Sequence, residues 1–143
     1  MRGRMIATLA VFSLLLTFAA SGTTAQAQSI YFGVSDIVLK NGESTELTDV
    51  YSITRSCKSM LKETPRVEIL DGPPGVTAVI NPAKIVPRGF NCANPVNGGK
   101  LVITAKDIQE YSHTRMVLRL NYKTLNGDRQ RSEHVNITLF PTN

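Results

Sequence analysis

Chemistry in this chain would have to be built from a short inventory: His113 and His134, Cys57 and Cys92, and the acidic run Glu43, Glu46 and Asp49. Nucleophilic catalysis needs a serine or cysteine, a histidine base and an acid that orients the base. His113 is flanked by Ser112 and Thr114, His134 lies on a strand expected to set it beside Arg119, and no glycine-flanked serine elbow occurs. Arg119 would discourage protonation of His134 and offers no orienting carboxylate. The three acids would do acid–base work only if burial raised one pKa, and nothing in their polar surroundings suggests burial. Glu43 and Asp49 share strand parity, and a solvated strand face is the simpler reading. Calcium would demand more oxygen ligands in a tighter loop. The sequence therefore favours a protein that is not an enzyme and carries neither metal nor cofactor.

The more promising side chains are basic. Arg115, Arg119 and Lys123 fall on one face of a predicted strand, and Arg129 and Arg131 lie on its hairpin partner near the turn. Together they would make a positive stripe on an outer sheet face, able to attract lipopolysaccharide, acidic polysaccharide or an acidic protein. The competing reading is a solubilising face that guards against edge pairing. Phe140 shares that side and could anchor a partner. Nucleic acid fits poorly, because aromatic residues do not interleave with the charges.

Those residues must be positioned by a chain of 143 residues with Lys+Arg 16, Asp+Glu 11 and 42% hydrophobic residues. That composition excludes a disordered or multi-span membrane protein and leaves one compact domain. Arg2 and Arg4 precede a largely apolar run from Met5 to Ala20, and Ala25-Gln26-Ala27 supplies small residues where a signal peptidase reads. Residues 1–27 are accordingly expected to be a cleaved signal peptide, and 28–143 the mature domain. Removing two arginines and no acids lowers the net charge from +5 to +3. No mature segment approaches the ~20 apolar residues that span a bilayer. The expected location is the periplasm or the exterior.

Export also decides the cysteines. Cys57 and Cys92 are the only thiols, they lack Cys-x-x-Cys spacing, and an oxidising compartment favours a bridge between them. A redox or metal pair is the alternative. A loop of this size, once closed, should stabilise the fold by about 4 kcal/mol.

Short apolar runs between Gly, Pro and Asn recur along the mature chain, and no long helical period does. Strands are expected over 30–39, 43–53, 66–70 and 76–80, where Pro82 should stop the fourth, then over 84–86 and 100–105, with 87–99 irregular. Turns of helix are expected near 56–62 and 106–111. The last two strands alternate around Met116, Leu118, Leu120 and Tyr122, and Asn126-Gly127 suits a type I′ turn. A loop of those two residues would set Leu118 against Val135 and Met116 against Ile137, with Arg131 and Glu133 at the rim. About eight short strands without long helices indicate a two-sheet sandwich, with a closed barrel as competitor.

Leu70-Asp71-Gly72-Pro73-Pro74-Gly75-Val76-Thr77, then Asn81-Pro82-Ala83, Ile85-Val86-Pro87 and the strand Leu101-Val102-Ile103-Thr104-Ala105 before a closing hairpin, resemble bacterial immunoglobulin-like domains over about residues 66–140. The likeness lies in turn chemistry and strand spacing. It implies a single immunoglobulin-like antiparallel β-sandwich of about 7–8 strands, used as an interaction module that binds a protein or an envelope polyanion. The longer loop around Cys92 departs from that layout, and the absence of tryptophan argues against the antibody-type subgroup.

Overall fold

In the computed structural model, residues 36–89 and 91–142 are described; the expected leader and residues 30–35 of the expected first strand lie outside them. Seven strands run in order: β1 Asp36–Lys40, β2 Ser44–Val50, β3 Arg66–Asp71, β4 Val76–Ile85, β5 Val96–Ala105, β6 Ser112–Thr124 and β7 Gly127–Phe140. They form a four-stranded sheet in the order β1-β7-β6-β3 and a three-stranded sheet in the order β2-β5-β4, with β1 parallel to β7 and the other pairs antiparallel. The all-β sandwich expected from the sequence is present, and its sheets are open, not closed into a barrel. No helix occurs among the described residues, so the expected helical turns at 56–62 and 106–111 are bends and tight turns instead.

Period-two alternation builds the core. Ile37 and Leu39 of β1, Met116, Leu118, Leu120 and Tyr122 of β6, and Val135, Ile137 and Leu139 of β7 turn inward from one sheet. Val50, Val76, Leu101, Ile103 and Ala105 meet them from the other. Burying nine side chains almost completely, seven of them Leu or Ile or Met of β5–β7, is the main stabilising term, at roughly 1.5–3 kcal/mol for each large aliphatic side chain.

A second cluster sits at the far end of the three-stranded sheet. Tyr51, Ile53, Ile85, Cys92 and Val96 are buried together, with Cys57 and Ala83 against them. Pleat parity puts Ala83, Ile85, Val96 and Gly98 on the face opposite Ile80 and Leu101, so this cluster covers the outside of that sheet end. Gly98 allows it: a Cβ there would meet the Val50 carbonyl oxygen at 2.5 Å and Ile85 at 3.0 Å. Cys57 and Cys92 are bridged, with Cα atoms 5.6 Å apart, which ties the 53–59 turn to the loop before β5. Cys57 has φ 61, and its amide donates to the Thr54 carbonyl at 3.0 Å.

Several boundaries differ from the expectation for identifiable reasons. β4 runs through Pro82 to Ile85, merging two expected strands and giving seven in place of eight. Pro82 is tolerated because β4 is an edge strand whose outward side needs no donor. β5 begins at Val96, inside the segment expected to be irregular. β2 ends at Val50; Tyr51 and Ile53 leave the sheet and enter the second cluster.

The β6–β7 hairpin has the expected faces and a different register. Its loop is Leu125-Asn126, Thr124 pairs with Gly127, Met116 with Val135, Leu118 with Glu133 and Leu120 with Arg131. Positive φ falls on Gly127 (φ 104) and on neither loop residue, so the turn is not type I′. The buried Thr124 hydroxyl fixes it by donating to the Gly127 carbonyl at 2.7 Å while accepting from the Asn126 amide at 3.3 Å. The shift is two residues, which preserves every side-chain face and therefore leaves apolar patterning satisfied.

Candidate interaction face

The four-stranded sheet turns one face to the core and the other outward. In register across β1, β7 and β6, the outward rows are Asp36, Asn136 and Arg115, then Val38, Thr138 and His113, then Lys40 and Phe140. Tyr111, just before β6, packs edge-on against Phe140 with ring centroids 5.2 Å apart and an interplanar angle of 62°. Val38 is 64% exposed, Tyr111 59% and Phe140 39%. Among them His113 Nδ1 and Thr138 Oγ1 share a hydrogen bond of 2.8 Å, and Asn136 donates to Asp36 at 2.9 Å. The result is an exposed apolar and aromatic patch threaded by satisfied polar groups, with Arg115 in the outermost row of the same face.

The basic residues divide. Arg115, Arg119 and Lys123 do share the outer face, but Arg119 lies 3.9 Å from Glu68 on β3, and Lys123 lies 3.6 Å from Glu63. Glu68 also accepts from Asn121 at 3.2 Å. Arg129 and Arg131 are not part of that stripe. They have the parity of Val135 and so turn to the inner side of the sheet, where Arg131 ion-pairs with Glu133, whose side chain is largely buried. Alternation on β7 overrides proximity to the turn, so the expected five-residue stripe is reduced to Arg115, Arg119 and Lys123.

The acids and histidines are likewise placed by structure. A bulge at Leu47 breaks the parity that Glu43 and Asp49 would otherwise share. Glu46 and Asp49 instead come to the same face beside Lys100, which donates to Glu46 at 2.6 Å; that bond and the Glu46 charge raise the Lys100 pKa. Glu43 accepts from the Lys40 amide at 2.8 Å and stabilises the β1–β2 turn. His134 stands opposite Val117, not Arg119. Among the described residues no group of three or more His, Cys, Asp or Glu is placed to hold a metal ion.

Two features were not anticipated. An open groove of about 480 Å³ lies between the Leu61–Thr64 segment and the ends of β4 and β5, bordered by Glu63, Pro82, Lys84 and Asn97. Two of its charged residues are engaged, since Lys84 donates to Asn97 at 2.6 Å and Glu63 lies 3.5 Å from Arg66. The Tyr122 hydroxyl is buried without a hydrogen-bond partner, and desolvation pushes its pKa far above the usual phenol range. The alternation that put Tyr122 inside was legible in the sequence; the missing partner was not, because it depends on what the opposite layer offers.

No protein-family model, curated protein or solved structure matches the chain. No helix among the described residues is long and apolar enough to cross a membrane.

Proposed function

We propose that the protein is a non-catalytic, exported immunoglobulin-like module that binds a protein partner through the outer face of its four-stranded sheet. The observation that carries this reading is the exposed Tyr111–Phe140 pair with Val38 alongside. Exposed aromatic anchors are typical of binding hot spots, and a lone soluble surface has little use for three large apolar side chains in one place. The immunoglobulin-like part of the reading is supported by topology: the third, sixth and seventh strands share one sheet, and the second, fifth and fourth the other. Export to the periplasm or exterior is supported by the Cys57–Cys92 bridge and by the leader-like sequence of residues 1–27. Crosslinking in the native compartment should trap a discrete protein, and Tyr111→Ala with Phe140→Ala should reduce its capture at least about tenfold, since hot-spot truncations cost about 2 kcal/mol or more. Capture unchanged by both substitutions would refute the assignment of this face.

A second reading, binding of an envelope polyanion, draws on the shared outer face of Arg115, Arg119 and Lys123. The ion pairs with Glu68 and Glu63 weigh against it. Retention on heparin or lipopolysaccharide that survives changing all three residues to glutamine would eliminate it.

A further inference from the structure

The sandwich has four sheet edges, and three are guarded. β1 is five residues long and begins and ends on charges, Asp36 and Lys40. β2 carries Glu46, Asp49 and the bulge at Leu47; β3 carries Arg66, Glu68, Asp71 and a bulge after Ile69. Charges and bulges are what keep an exposed strand edge from pairing with another chain. β4 has neither along its first six residues. No charged side chain falls between Asp71 and Lys84, and β4 pairs with β5 over ten consecutive residues without a break in register.

The direction of its backbone groups follows from the hydrogen bonds around it. The Lys106 amide donates to the Gly75 carbonyl at 2.7 Å, so Gly75 and, by alternation, Thr77, Val79 and Asn81 bond towards β5. Ala105, the partner of Val76, exchanges bonds with the other neighbour instead: it donates to Glu43 at 2.9 Å and accepts from Gly42 at 2.8 Å. Pro82 agrees, having no N–H to offer Gly99 opposite. The N–H and C=O groups of Val76, Ala78 and Ile80 therefore point away from the sheet, and no backbone partner outside β5 reaches them among the described residues. The side chains of Ala78 and Ile80 face the core yet are only half-buried, while Val79 on the opposite face is 49% exposed.

We propose that this edge pairs with the same edge of a second copy of the chain. An antiparallel pair about a two-fold axis through Ala78 sets Ala78 against its symmetry mate and Val76 against Ile80, so that every outward N–H and C=O from 76 to 80 meets a partner. Thr77 and Val79 then stand opposite each other on the outer face, and no two charges are opposed. The same register brings Pro82 against Pro74, and neither has an N–H, so the pairing ends symmetrically at both prolines. This self-matching, closed by proline at each end, selects a second copy over an unrelated extended segment. The two three-stranded sheets become one of six strands, leaving the Tyr111–Phe140 face free.

Sedimentation of the oxidised protein from about 1 µM to about 1 mM, with amide hydrogen exchange across the same range, tests this. Expected is a monomer–dimer equilibrium in which Val76, Ala78 and Ile80 amides slow as concentration rises, while Thr77, Val79 and Asn81 amides are slow throughout. Ala78→Pro removes an outward donor from a position whose N–H does not serve β5, and Val79→Lys places a charge beside each Thr77 of the partner. Each should weaken the dimer at least about tenfold, and the slow amides of Thr77 and Asn81 certify the fold in either variant. A monomer at the highest concentration, fast exchange of Ala78 and Ile80 in a dimer, or a dimer indifferent to both substitutions would overturn the proposal. A dimer abolished by Tyr111→Ala would overturn it too, by locating the contact on the other sheet.

Discussion

Severing the Cys57–Cys92 bridge by replacing both residues with alanine isolates a covalent contribution whose size can be worked out beforehand. The cysteines are 35 residues apart, and the chain-entropy relation for a loop of that length gives about 3.8 kcal/mol at 25 °C, acting through the unfolded state. Cys92 is buried in the five-residue cluster at the sheet end, so truncating it also removes a little packing. Cys57 sits at φ 61, where a residue with a Cβ pays roughly 1 kcal/mol relative to glycine, and alanine keeps that penalty. The pair Cys57→Gly with Cys92→Ala should accordingly be about 1 kcal/mol more stable than the double-alanine protein.

Urea unfolding should show the double-alanine protein losing about 4 kcal/mol, with a larger m value because its unfolded chain is no longer cross-linked. On heating, a domain of this size should lose roughly 15–30 °C in Tm. The tie also anchors the loop before β5, so trypsin should cut at Arg88, which is exposed, far sooner once the bridge is gone. A loss below about 1 kcal/mol with an unchanged m value would refute the argument, because it would mean that the loop gains no freedom in the unfolded chain.

Tyr122 predicts the alkaline limb of the stability profile. Its folded pKa is raised by desolvation above the ordinary phenol value of 10.0, so the unfolded chain loses this proton first and stability should fall as pH rises past about 10. Lys100, also raised, contributes in the same direction, because the folded state keeps its proton to higher pH than the unfolded chain. Tyr122→Phe should flatten the fall in urea midpoint between about pH 10 and 11.5 and cost little at pH 7, as it removes a hydroxyl without a partner; an unchanged slope would contradict the assignment. Gly98→Ala and Gly99→Ala should each cost about 2 kcal/mol or more by denaturant titration, since the added Cβ collides with the Val50 carbonyl in one case and with Ile80 and the Asn81 carbonyl in the other. Gly42→Ala meets no neighbour and should cost about 1 kcal/mol from its φ of +84 alone. In the hairpin, Gly127→Ala should destabilise by about 1 kcal/mol and Asn126→Ala by much less, whereas a type I′ turn would penalise both.

What could be read in advance was governed by parity. Met116, Leu118, Leu120 and Tyr122 are separated by two residues each, and so are Val135, Ile137 and Leu139; that spacing fixes which side of a strand they occupy whatever the partner strand does. The same spacing is blind to a slip of two, so Asn126-Gly127 drew the loop one residue too far along, and the position of the turn is decided by the Thr124 hydroxyl bridging it. Pro82 misled for a related reason. Its missing donor forbids a central strand, but at an edge half the amides serve no neighbour, and whether a strand lies at an edge is a property of the whole topology.

The outer face was less legible because the forces that select it are weaker and not periodic. Burial disciplines an inward residue at every second position, while an outward arginine can lean to any acid within reach of its long side chain. Arg119 and Lys123 reach Glu68 and Glu63, which come from a different strand and from the segment before it, 51 and 60 residues earlier in the chain. The exposed pairs of Arg119 and Lys123 contribute little to stability, so they leave no trace in composition or patterning, yet they decide how much free positive charge a partner would meet. Replacing Glu68 and Glu63 with glutamine makes that point testable: it should leave the urea midpoint nearly unchanged while increasing heparin retention, if Arg119 and Lys123 are cations held in check by their neighbours. Retention unaltered by those substitutions would show that the outer face repels polyanions for a reason other than pairing, and would leave the aromatic patch as the sole basis for recognition there.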